Sequence, residues 1–420
     1  MKSLTLAFFL SVLFTPSIGQ DTQYVRQIID SLCSPVYHGR GYVKRGDSEA
    51  INFMMRELRK LNGSARLGVI TFEMQANTFP GALSVELNNN VLSTGEDFII
   101  DPISGGAHGE FTAVYFKTKW AKSEEELFAQ IANGRFEGKV VVFDEGAKNS
   151  NYAQLISDVR QDPLKAAGYM ILTEKTLTWS VSNSFLQIPI LSVRKEAYKK
   201  KIKRVTLNID QEYLTNHRTA NLMATIPGTD TAGKKMRVYT AHLDHLGRMG
   251  SEVYIAGAND NASGAAMLLD IYKYYLQIPP EFEVRFIWFS GEEAGLVGSQ
   301  YFVDNSPIDL SKIGFLMNLD LMGDAGKGVT AVNGKVLEEH FAKLSSINME
   351  MGLVEQVKAR GPAANSDHHP FHEKGVPCFF IYTMGDYNHY HDINDVPENL
   401  PLTNYSEVFK LIVEFMEIGI

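Results

Sequence analysis

Cysteine is nearly absent from this 420-residue chain, which has only Cys33 and Cys378. A Cys-rich zinc site is therefore excluded by count. One bridge or two buried thiols both stay open, since a chain of this size can fold without a cross-link. Basic charge is also short: 40 Lys and Arg against 49 Asp and Glu give a formal net charge of −9. Phosphate backbones are bound through basic stripes. The one basic cluster, "AYKKKIKR" at 197–204, reads as a solvated face, so nucleic acid is not an expected partner. No G-x-S-x-G elbow supports a serine hydrolase, and no low-complexity tract is present.

Long apolar runs are missing everywhere except the first residues. "MKSLTLAFFLSVLFTPSIGQD" has Lys2, an apolar stretch from Leu4 to Phe14, and small residues Ser17 and Gly19. This predicts a secretory signal peptide over 1–19, too short to be a permanent membrane span. No cysteine follows the stretch to carry a lipid. The expectation is an exported protein, periplasmic or extracellular, without a stable membrane anchor.

What is present is a chain of alternating patterns. Residues 20–84 read as helices followed by the strand "VITFEMQANTF". Residues 85–215 turn to short strands, such as "KVVVFDEG" and "AGYMILTE", separated by Gly-, Asn- and Ser-rich loops. This region reads as a smaller α+β insert. From 216 to 420, dense apolar strands alternate with helices: "MRVYTAHLDHLG", "FEVRFIWFS", "IGFLMNLDLMG" and "VPCFFIYTMG". Such strands predict an α/β sheet covered by helices on both faces. Ligands of such sheets bind beyond the carboxyl ends of the strands.

The polar residues at those ends are almost all His, Asp and Glu. His242, Asp244 and His245 follow one strand, and Asp260 sits in the loop "GANDNASG". Glu292 and Glu293 follow a second strand, Asp320 ends a third, and His389 and His391 follow a fourth. A lone His there is ordinarily a hydrogen-bonded structural residue, and a lone Asp in such a loop an ordinary cap. Together they resemble a nitrogen- and oxygen-lined metal site; zinc accepts both ligand types, and hydrolytic sites often hold two metals.

The blocks "AHLDHLG", "GANDNASGAA", "SGEEAGLVGS", "NLDLMG", "SDHHPF" and "YHDINDVPE" stand in the order and spacing of the M28 metallopeptidases. The chain resembles that family of zinc exopeptidases, mostly aminopeptidases, over 219–420. The resemblance implies a zinc exopeptidase fold with a mixed, mainly parallel sheet. It assigns two Zn2+ ions: His242 and Asp320 to one, Glu293 and His391 to the other, with Asp260 bridging. It makes Glu292 the general base and Asp244 the carboxylate that orients the His242 imidazole. Tyr390 matches an oxyanion-stabilising tyrosine of some members. The peptide after the bridging aspartate, Asp260-Asn261, is often cis in the family. The insert resembles a protease-associated (PA) domain by position and strand pattern, with a role in covering or shaping the cleft.

The implied activity is hydrolysis of a peptide substrate from one end, an aminopeptidase before a carboxypeptidase. A carboxypeptidase needs cations for the terminal carboxylate, and only Arg360 offers one. An aminopeptidase needs acid for the substrate ammonium, from Glu292, Asp320 and Asp392. The rivals are glutaminyl cyclisation with one zinc and a non-catalytic receptor-like binding protein. The resemblance departs at Asp392, where many relatives have Thr, and in the extra histidines His245, His368, His369, His372 and His389. Most of these read as supporting or structural residues, with His389 the rival to His391 as ligand. Oligomeric state is not legible.

Overall fold

The computed structural model describes residues 21–61, 65–146, 150–198, 201–418 and 420. The expected signal peptide lies outside the described residues. Two large sheets organise the rest. The first contains β1 (Arg66–Thr78), β2 (Glu212–Ile226), β3 (Met236–His242), β4 (Val284–Phe289), β5 (Ile313–Leu319), β6 (Val329–Val332), β7 (Val357–Ala359) and β8 (Cys378–Thr383). Their order across the sheet is β1-β2-β4-β3-β5-β8-β6-β7. The central pairs β4–β3, β3–β5 and β5–β8 are parallel, as is β6–β7, while β1–β2, β2–β4 and β6–β8 are antiparallel. The expected mixed, mainly parallel sheet is borne out.

Strand side chains alternate between faces, so a strand buried on both sides must be apolar throughout. In β3, Tyr239 and Ala241 enter one core, while Val238 enters another on the opposite face. In β4, Phe286 and Trp288 go one way, and Ile287 and Phe289 the other. The larger core is closed by α1 (Thr22–Leu32), α2 (Gly46–Leu61), α3 (Gly264–Gln277) and α7 (Tyr405–Ile418). The smaller is closed by α4 (Val297–Asp304) and α6 (His368–Glu373); α5 (Glu338–Met351) packs beside α7. The N-terminal helices thus belong to the same layer structure as the C-terminal half.

The second sheet is built by residues between β1 and β2. Its strands, in spatial order, are Asn90–Val91, Leu83–Leu87, Arg204–Ile209, Ala107–Tyr115, Val140–Asp144, Gly168–Thr173, Ile190–Arg194 and Phe98–Ile100. One of its cores takes in Leu246, just past β3, and Met249 and Ile255 from the two-stranded ribbon that follows, so this sheet seats beside the strand ends of the first. Both cysteines are buried free thiols, which resolves the alternative left open above. Burial pushes each thiol up to about 12, out of the reactive range.

Trp288 ties the sheet to the helix that follows the Asp260 loop. It is 1% exposed, and its indole N–H donates to the Ala265 carbonyl in the first turn of α3 at 3.1 Å. Trp288→Ala should cost about 3–5 kcal/mol of stability through the cavity and the lost indole hydrogen bond. A lowered urea midpoint, read by tryptophan-independent circular dichroism, is the expected result.

Candidate metal centre

The carboxyl ends of β3, β4, β5 and β8 and the loop before α3 meet at one cavity of about 320 Å3. It is lined by His242, Asp260, Glu292, Glu293, Asp320, Tyr390 and His391 among others. His242 Nε2 lies 3.3 Å from Asp260 Oδ1 and 3.4 Å from Asp320 Oδ1. On the other side, His391 Nε2 lies 3.0 Å from Asp260 Oδ2 and 3.4 Å from Glu293 Oε2. Asp260 therefore turns one oxygen toward each imidazole.

The far nitrogens decide what the near ones need. His242 Nδ1 is 3.1 Å from the Asp244 carbonyl, and His391 Nδ1 is 2.9 Å from the Trp179 carbonyl. A carbonyl only accepts, so each Nδ1 carries a proton. Each Nε2 of a neutral ring then points a lone pair at carboxylate oxygens, an arrangement that demands a cation between them. In the bare protein, protons meet the demand. Burial alone would hold the His242 pKa down, but the carboxylates of Glu292, Asp320 and Asp260 outweigh it and hold it well above the usual range. Burial opposes charge on His391 as well, yet Glu293 and Asp260 raise its pKa to about 9.

Zinc fits the same positions. Donors about 2.0–2.1 Å from one tetrahedral ion stand roughly 3.3 Å apart, which is the spacing seen here. His242, Asp260 and Asp320 form one set of donor atoms within 4.8 Å of one another. Glu292 and Glu293 form a further set with His242, and Asp260 and Glu293 one with His245. Apart from His242, the buried Asp320 Oδ1 has no polar partner among the described residues. Burial, with repulsion from Asp260 and Asp320, lifts Glu293 to about 7 against the pull of His391 and His242. Burial, with repulsion from Glu293, Asp367 and Asp320, likewise pushes Glu292 well above the carboxylate range, against the pull of His242. The acids are thus held together at a cost that a bound cation removes.

Asp244 does something other than the resemblance implies. Its carboxylate Oδ1 is 3.9 Å from His242 Nδ1, and its main-chain carbonyl orients the ring instead. The carboxylate accepts the amide N–H groups of Glu292 and Glu293 at 3.2 and 3.3 Å, and the Tyr42 hydroxyl at 2.7 Å. It therefore holds the turn that presents both glutamates. Tyr390 stacks on His391, ring centroids 3.9 Å apart, and is 49% exposed at the cavity mouth. The Asp260–Asn261 peptide is cis.

His245 is fully buried, and its Nδ1 lies 2.7 Å from Glu293 Oε1; burial drives its pKa down to about 3, so the neutral ring donates there. His389 is turned away to Asp392, 3.3 Å off, and joins no metal-capable set among the described residues. Asp392 also caps the Asn394 N–H and does not line the cavity, so it is not placed to meet a substrate ammonium. His368, His369 and His372 lie on α6, in no such set.

Four supports escaped the sequence reading. Arg40 is 0% exposed and donates to the carbonyls of Leu243, Leu32, Ala256, Gly257 and Asp260 at 2.6–3.3 Å. It clamps the end of β3 to the Asp260 loop, with Tyr42 two residues on. Asp395 accepts the N–H groups of Asn259 and Asp260 at 2.8 and 3.1 Å. Trp179, from the second sheet's region, brackets His391 by donating its own N–H to the His391 carbonyl at 2.8 Å. The one signal in the sequence was "HGRGY" at 38–42, a glycine-flanked break between helical patterns. Gly257 has φ +63°, and a Cβ there would stand 2.2 Å from the Asp260 carbonyl oxygen, so only glycine fits.

The fold is that of solved zinc aminopeptidases. The chain superposes on BSAP, a zinc aminopeptidase from Bacillus subtilis, with TM-score 0.71 at 18% identity, over 94% of each chain. A Peptidase M28 precursor from Shewanella amazonensis gives 0.69 at 18% identity, over 95% of this chain and 93% of that one. Residues 221–416 match the family model Peptidase family M28. Among curated relatives, Aminopeptidase YwaD of Bacillus subtilis is 24% identical over 300 residues, 69% of this chain and 62% of that protein. A probable leucine aminopeptidase of Trichophyton verrucosum is 29% identical over 220 residues, 49% of this chain and 57% of that protein. The chain thus spans about 60% of the length of these relatives.

Tyr42→Phe frees the Asp244 carboxylate and loosens the turn bearing both glutamates. Zinc affinity, measured by chelator competition, should fall about 10- to 100-fold, as for other residues that orient metal ligands. Chelator treatment of the parent should lower its melting temperature, and added zinc should restore it.

Proposed function

We propose that this chain is an exported zinc-dependent exopeptidase of the M28 type, acting as an aminopeptidase. The observation that carries the reading is the Asp260 carboxylate set between His242 and His391 Nε2 atoms, with Glu293 and Asp320 on either side. His242, Asp260 and Asp320 would hold one Zn2+, and Glu293, His391 and Asp260 the second. Bound zinc would supply Lewis-acid polarisation of the scissile carbonyl and acidify the attacking water.

The protein's own residues do the rest. Glu292 lines the cavity, and its anchorage is by its main-chain N–H on Asp244, which leaves its carboxylate available as base. It takes the proton from the attacking water and delivers it to the leaving amine. Asp244 fixes the Glu292 backbone, which sets where that carboxylate reaches. Tyr390, at the mouth, is the candidate donor to the developing oxyanion. Acidic side chains of the same cluster, Glu292 and Asp320, are candidates to meet the free ammonium of the substrate. The second sheet, PA-like in its place between β1 and β2, supports the reading through the Trp179 carbonyl on His391. Among the described residues no helix is long and apolar enough to cross a membrane.

The test is zinc content and aminoacyl-anilide hydrolysis of the parent beside Glu292→Gln. Two zinc ions in each, with kcat lower by about 10^2–10^4-fold in the variant, is the expected result. One zinc in the parent, with cyclisation of an N-terminal glutamine peptide, would replace this reading by the cyclase one.

A further inference from the structure

The cavity that collects the acids also contains a cation with no counterpart. Besides the residues already placed, it is lined by Leu321, Arg360, Asn365, Phe380 and Tyr382, and Arg360 is the one lysine or arginine among the described residues around it. Arg360 follows β7 directly, and its backbone is pinned on both sides. Its N–H donates to the Ala331 carbonyl at 2.9 Å, and its own carbonyl accepts from the Lys335 N–H at 3.1 Å. The side chain is exposed, and its guanidinium makes no hydrogen bond or ion pair with any described residue. Some exposed arginines find acids, as Arg160 does Asp101, Arg194 Glu196 and Arg204 Glu110, whereas Arg45 and Arg59 share Arg360's lack of one among the described residues; what sets Arg360 apart is that it lines this cavity.

Charge balance sharpens the contrast. The cavity's four carboxylates, Asp260, Glu292, Glu293 and Asp320, are matched by two divalent cations under the reading above, on which this inference rests. Arg360 is then the uncompensated charge facing the substrate. A guanidinium presents a planar fork of N–H donors that fits a carboxylate with two parallel hydrogen bonds. The exposed Asn365 amide lies on the same cavity lining and can add a donor.

We infer that Arg360 receives a carboxylate of the substrate, so that the enzyme's substrates are short peptides carrying a carboxylate close to the scissile bond. Two groups present that chemistry: the side chain of an acidic residue at the bond, or the terminal carboxylate of a dipeptide. The aromatic and aliphatic lining, Phe380, Tyr382, Tyr390 and Leu321, takes the apolar parts of either.

The experiment compares two ratios in the zinc-loaded full chain, Arg360→Leu and Arg360→Lys. The first is kcat/KM for Glu-anilide over Gln-anilide, and the second is kcat/KM for Leu-Gly over Leu-Gly-amide. In the parent, one ratio should favour the carboxylate by about 10- to 100-fold, the range for a charged hydrogen-bonded pair. It should collapse to near one in Arg360→Leu and recover in part in Arg360→Lys, chiefly through KM. The first ratio identifies an acidic side chain, the second a terminal carboxylate. Ratios near one in the parent, or a preference that survives Arg360→Leu, overturn the inference. If the parent hydrolyses no substrate, the peptidase reading fails on its own. Calorimetric titration of Leu-Gly, Leu-Gly-amide and the Glu- and Gln-anilides into parent and Arg360→Leu then reads the carboxylate preference directly, with the same two outcomes.

Discussion

The structure is organised around one buried carboxylate that faces two imidazoles. Asp260 cannot sit 3.0 and 3.3 Å from the Nε2 atoms of His391 and His242 unless positive charge lies between them. Protons or metal ions both satisfy that condition. Four carboxylates crowd the same cavity, so divalent ions satisfy it with less residual repulsion than protons do. The surrounding fold works to hold these donors in place before any cation arrives.

That work is done largely by the main chain. The carbonyl of Asp244 sets the proton on His242, and the carbonyl of Trp179 sets it on His391. His391 itself takes a left-handed φ of 56°, a conformation that a side-chain-bearing residue holds only when its neighbours impose it. The two hydrogen bonds with Trp179 are such an imposition. Arg40 directs its donors at five main-chain carbonyls, and at 3.9 Å at the Cys33 sulfur, rather than at an acid, which lets a buried cation join three chain segments without neutralising a ligand. Asp395 performs the complementary task on the N–H groups of the Asp260 loop.

The region between β1 and β2 bears directly on the candidate site. Through Trp179 it reaches a candidate ligand, and through Leu246, Met249 and Ile255 it shares a core with the chain just past β3. Trp179 is itself fixed, its indole donating to the Ile100 carbonyl at 2.9 Å. A displacement of this sheet would move His391, which couples the geometry of one metal position to the seating of a separate structural layer.

What the sequence by itself determined follows from its periodicity and its strand ends. Dense apolar runs such as "VRFIWF" can only be strands buried on both faces, and acids directly after them must meet something charged. The alternation of strands and helices therefore placed the sheet, and the motifs named His242, Asp260, Glu292, Glu293, Asp320 and His391 as neighbours before any distance was known. Tertiary structure alone decided the supports. Arg40, Tyr42, Trp179 and Asp395 lie 135 to 220 residues from the groups they hold, and nothing local marks a side chain whose partner is a distant main-chain carbonyl or amide. The carbonyl in place of the carboxylate on His242, and the unpaired guanidinium of Arg360 beside the same cavity, were equally out of reach. Each depends on where a side chain ends in space, which backbone packing sets and residue order does not.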